Sequence, residues 1–137
     1  MVHNAAQAGA ALAVAGTAGA TLLSAPGAAG SLGCAWFLAI TSQAAASHPG
    51  VPHRVRLDGA DATGPALAAL RAGLRWLVLH PAPPGFATLA AGLGAVVLPR
   101  APPALDLARV DLRNESGMKL LAQWLCGTPD DTRKLNG

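Results

Sequence analysis

One pattern of apolar and polar positions recurs along this chain: a helix of small residues, a glycine, a short apolar run, then a loop containing proline. It is seen first over 10–19 and 20–26, with Ala20-Thr21-Leu22-Leu23 as the run and Pro26 in the loop. It returns with Leu67 to Gly73, then Trp76-Leu77-Val78-Leu79 and the loop His80-Pro81-Ala82-Pro83-Pro84. The third copy is Leu89 to Gly92, then Ala95-Val96-Val97-Leu98 and Pro99. Glycine past a helix accepts the left-handed cap, and proline after a strand ends the hydrogen-bonded ladder. Continuous apolar runs of this length fit strands covered on both faces, as in a parallel sheet. The run His53-Arg54-Val55-Arg56-Leu57 alternates instead, which predicts a half-exposed edge strand with its arginines outward.

The pattern therefore predicts strands near 20–24, 53–58, 75–80 and 95–99, with helices between them. A helix starting near Ser31 should stop before His48-Pro49-Gly50. The next should use Thr63 as N-cap, with Pro65 in its first turn and Leu67, Leu70 and Leu74 on its apolar side. A short helix is expected over 86–91. Residues 104–112 read equally as strand or helix. Asn114 reads as an N-cap ahead of Glu115, and Met118, Leu121, Trp124 and Leu125 then form an apolar stripe. Alternation of this kind predicts an α/β three-layer sandwich with a short, mainly parallel four-stranded sheet of Rossmann-like or flavodoxin-like topology and strand order 2-1-3-4. Residues 1–113 would form one α/β domain, 114–127 a docking helix of that domain and 128–137 a polar, flexible tail.

Composition sharpens this reading. The chain has 137 residues, enough for one core, and 52% of them are apolar. Aromatics are only 4%, so the core is built from small side chains. Charged residues make up 12%, with a net charge of +3 and no dense Lys/Arg stripe, which speaks against nucleic acid. Cys34 and Cys126 stand alone, and the four histidines lack ligand spacing, so neither a disulfide framework nor a metal site is expected. The apolar runs 8–23 and 32–46 are shorter than the roughly 18–20 residues of a membrane span and rich in small residues. The reading is a soluble, cytoplasmic protein.

In an open parallel sheet, ligands bind beyond the carboxyl ends of the strands. Here those positions are Ser24, Asp58, His80 and Arg100, one polar residue at each strand end. After the first strand, Gly27, Gly30 and Gly33 open a helix, and such a turn lets amides approach an anion. The stretch Gly27-Ala28-Ala29-Gly30-Ser31-Leu32-Gly33 resembles the glycine turn of extended short-chain dehydrogenases. That resemblance implies a nicotinamide dinucleotide, with Asp58 on the ribose hydroxyls. It covers about ten residues, and Ala25-Pro26 lengthens the turn. The chain has no Tyr, so the Tyr-x-x-x-Lys pair of that family is absent. Ser24, Asp58 and His80 follow the chain order of an α/β-hydrolase triad, but Gly-x-Ser-x-Gly is missing. Asp58 and Asp61 also suit simple turn-shaping and capping.

Two readings follow. In the first, this is a non-catalytic binding or regulatory module for a small anionic ligand or a protein partner, with a homo-oligomer through Met118, Leu121, Trp124 and Leu125. In the second, it is a small nucleotide-binding protein or enzyme using the loop 27–33. The cofactor is left undefined by either.

Overall fold

The computed structural model describes residues 1–127. Its element order is α1 (Ala5–Ala15), β1 (Ala20–Leu23), α2 (Ala28–Ser31), α3 (Cys34–Ser47), β2 (His53–Asp58), α4 (Thr63–Arg71), β3 (Trp76–Val78), α5 (Phe86–Gly92), β4 (Val96–Leu98) and α6 (Glu115–Gly127), with 3-10 turns at Gly16–Ala18 and Leu107–Arg109. All four expected strands form, and every pairing is parallel. The expected tail, 128–137, lies outside the described residues.

Local chemistry explains the boundaries. Asn4 caps α1 by accepting the Gln7 amide at 2.8 Å, and Gln7 Oε1 accepts the His3 amide at 2.8 Å, a reciprocal arrangement close to a capping box. Gly19 leaves the helical turn at φ +79°, and a Cβ there would sit 2.6 Å from the Pro52 carbonyl oxygen. Only glycine lets β1 start this close to the end of the α3–β2 loop. α3 ends at Ser47, immediately before His48-Pro49-Gly50, as expected. It starts at Cys34 rather than near Ser31, because Gly33 at φ +85° separates it from the single turn of α2. Thr63 is not the N-cap of α4: Ala62 holds that position without a side-chain bond, and Thr63 is the first helical residue. Residues 104–112 hold only one 3-10 turn, begun by Asp106, whose carboxylate accepts the Ala108 amide.

The sheet corrects two expectations. Its order is β1-β2-β3-β4, not 2-1-3-4, so each strand adds to the same edge. Crossovers of the usual right hand then place α3, α4 and α5 on one face, and contacts of α3 with β2 and α4, and of α5 with β4, agree. A sheet that grows one way has no point where strand order reverses, which is where open α/β sheets usually form their crevice. The second correction concerns β2. It is flanked by β1 and β3, so it is an interior strand. Its alternation marks two differently covered faces, not an edge.

Register sorts those faces, since paired residues point the same way. Leu22 pairs with Val55, and Leu57 with Leu77, which pairs with Val97. This face, apolar except for the exposed His53 at the start of β2, lies under the helices, and Leu22, Leu57 and Leu77 are buried in the core with Phe37, Ala66, Leu70 and Ala90. Leu67, Leu70 and Leu74 turn inward as expected, the last two fully buried. The other face runs Leu23, Arg56, Trp76, Val96 in one row, with Thr21 and Arg54 below and Asp58, Val78 and Leu98 above. α6 and residues 102–107 form a third layer over the β1 part of this face. α1 touches β1, α3 and α6 and so joins the outer layers.

Backbone bonds tie the first residues to β1 and to the 3-10 turn at 107. The Val2 amide donates to the Leu23 carbonyl at 2.8 Å, and the Leu107 amide to the Met1 carbonyl at 3.1 Å. His3 Nε2 meets Asp106 Oδ1 at 2.6 Å on the same seam. The opposite edge, β4, is three residues long and is followed by Pro99, which limits further pairing. Among the described residues, no helix is long and apolar enough to cross a membrane.

Candidate functional site

Two places in this framework gather the side chains singled out by the sequence: the carboxyl ends of β1 and β2, and the space beneath α6.

At the first, Ser24 and Asp58 come together. Both are buried, at 1% and 6% exposure. Ser24 Oγ accepts the Asp58 amide at 2.9 Å and donates to the Ala25 carbonyl at 3.0 Å. Asp58 Oδ1 accepts the amide of Gly27 at 3.1 Å and that of Ala60 at 2.8 Å. Ala60 is held at φ +47°, a left-handed conformation unusual for alanine. Its amide is tied to Asp58, and its carbonyl accepts the His80 amide at 2.7 Å. Hydrogen bonds on both sides of its peptide units hold the residue there.

The glycine loop is closed on itself. The amides of Gly30 and Ser31 donate to the Gly27 carbonyl, those of Leu32 and Gly33 to Ala28, and that of Ala28 to Ala25. A Cβ at Gly30 would lie 3.5 Å from the Ala62 Cβ, and one at Gly27 3.8 Å from the Ala60 Cβ. The loop thus packs against the β2–α4 turn, with Asp58 supplying the anion for its first amide. His80 and Arg100 lie at the ends of β3 and β4 as expected, but both are exposed. Neither makes a side-chain hydrogen bond or ion pair among the described residues. Ser24 Oγ is spent on backbone partners, so the chain-order triad has no nucleophile–base bond here. Among the described residues, no three His, Cys, Asp or Glu are placed to hold a metal ion. Cys34 is half-buried, and burial raises its thiol pKa, while Cys126 is exposed.

The second place was only half legible in the sequence. The stripe on α6 faces the sheet of its own chain. Leu121 is 2% exposed, and Met118, Trp124 and Leu125 are half-buried. The helix is launched by Asn114, whose Oδ1 accepts the Gly117 amide at 2.7 Å. Gly117 is buried, and a Cβ there would collide with the Asp111 carbonyl. Between α6, β1 and residues 102–107 lies a cavity of about 660 Å³. Leu23, Leu105, Leu107, Leu121, Trp124 and Leu125 are among its walls. Arg56, 5% exposed, is a charged residue in that otherwise mainly apolar lining. Sequence reasoning missed Arg56 because it read the alternation of β2 as outward-facing. The signal available was its place two residues before Asp58 on the same face.

Protein-family models, curated proteins and solved structures were each compared with this chain, and none matches it.

Proposed function

We propose that this chain is a non-catalytic binding module whose ligand is a small amphiphile with an anionic end, held beneath α6. The observation that carries this reading is the cavity of about 660 Å³, which falls within the roughly 300–1,000 Å³ of ordinary small-molecule sites. Its aliphatic and indole walls suit an apolar body, and Arg56 in the lining suits a carboxylate or phosphate head by charge and planar geometry. The loop 27–33 is the weaker candidate, since Asp58 already occupies the Gly27 amide and adds a negative charge where a second anion would bind.

Isothermal titration with decanoate and with decanol tests the reading. Saturable decanoate binding that weakens at least tenfold in Trp124→Ala, with decanol binding more weakly, is the expected result. Absence of saturable binding by either compound overturns it. A response to nucleotides that is abolished by Gly30→Val, with none to decanoate, transfers the function to the glycine loop.

A further inference from the structure

Parallel sheets are normally covered on both faces. Here the face carrying Arg54, Arg56 and Trp76 is roofed by α6 only on its β1 side. Towards β4 it opens: Trp76 and Leu98 are half-buried and Val96 is 41% exposed. Arg54 lies along this open part, its guanidinium 4.6 Å from the centre of the Trp76 ring. Arg56 approaches the same ring at 5.6 Å. Arg54, like Arg71, Arg75 and Arg100, makes no ion pair among the described residues, and of these four it is the one held over an aromatic ring. A guanidinium held over an indole by cation–π attraction can still donate N–H groups to a carboxylate.

We propose that this open half of the sheet is a docking surface for an acidic, amphipathic segment of another protein. Its apolar residues would cover Trp76, Val96 and Leu98, and a carboxylate would meet Arg54. The assignment to an acidic segment rests on charge complementarity with an arginine that is held over the Trp76 ring and makes no ion pair among the described residues. A flat face combining Trp and Arg is also the composition of interface hot spots. The surface adjoins the α6 cavity at Arg56, but Trp124 lines that cavity and Arg54 does not, so variants at these two residues let either proposal fail without the other.

The probe is a fluorescein-labelled peptide alternating glutamate and leucine, followed by anisotropy against the intact protein. A peptide alternating lysine and leucine, and a single-stranded thymidine oligonucleotide, are the comparison arms. The expected result is saturable binding of the acidic peptide alone, weakened at least tenfold by Arg54→Glu and unchanged by Arg113→Glu. Trp76→Leu, checked for folding by circular dichroism, should also weaken it, and Trp124→Ala should not. Equal losses in Arg54→Glu and Arg113→Glu would reveal nonspecific charge attraction and overturn the proposal. So would no binding of the acidic peptide, or tighter binding of the oligonucleotide, which would make the surface a nucleic-acid platform.

Discussion

Asp58 Oδ1 accepts the amide of Gly27 across 31 residues of sequence, at 3.1 Å, and in doing so ties the loop after β1 to the loop after β2. The same oxygen holds Ala60 in its left-handed conformation. One buried carboxylate thus organises both loops at this end of the sheet. Hydrogen bonds to a charged group contribute about 1.5–3 kcal/mol each. Asp58→Ala should therefore cost about 3 kcal/mol or more in urea unfolding. Asp58→Asn, which keeps an acceptor oxygen, should cost clearly less. Equal stability of Asp58→Ala and the parent protein would show that these bonds are replaced by solvent.

Two glycines in helices should respond in opposite ways to alanine. At Gly64, in the first turn of α4, a Cβ meets nothing within 4 Å. Gly64→Ala should stabilise by about 0.5–1 kcal/mol through helix propensity. At Gly117 the same methyl group would strike the Asp111 carbonyl. Gly117→Ala should cost about 1–3 kcal/mol, because the start of α6 must move off the chain beneath it. Thermal melts of the two variants side by side make the comparison, and a matching sign would sink it.

The underside of α6 separates stability from binding. Leu121 is fully buried, so Leu121→Ala should lose about 2–5 kcal/mol. Trp124 is half-buried and lines the cavity, so Trp124→Ala should lose less stability. It should nonetheless lose decanoate affinity. Chemical denaturation paired with calorimetry distinguishes the two effects, and a larger stability loss for Trp124→Ala would contradict this geometry.

Acid should loosen the seam between residues 1–3 and 105–107. The hydrogen bond from His3 is the main cause holding the Asp106 carboxyl below its ordinary pKa, assisted by the Ala108 amide and the charges of His3 and Arg109. A carboxylate with a depressed folded-state pKa contributes stability above its unfolded pKa and loses it as pH falls through the folded value. Asp106→Asn should therefore be less stable than the parent above the carboxylate range, with the gap closing in stronger acid. Unfolding curves across that range check the sign. A gap that widens on acidification would assign the effect to another group.

The sequence alone determined where the strands and most helices lie. Apolar runs, cap residues and Pro or Gly stops act within a few residues, so Ala20–Leu23, His53–Asp58, Trp76–Val78 and Val96–Leu98 emerge from local chemistry. Asn114 likewise announced α6, because an N-cap needs only the amide three residues on. Tertiary structure alone decided the rest. Strand order depends on which edge each crossover joins, and β2 became interior because β3 paired beside it. Gly27, Gly30 and Gly33 carry the spacing of an anion turn, yet the partner of Gly27 comes from the next strand. Arg54 and Trp76 meet because β2 and β3 lie side by side in register, and Arg56 enters a cavity because α6 returns over the sheet. These are contacts between residues far apart in the chain, and their energies depend on packing that no local run of residues encodes.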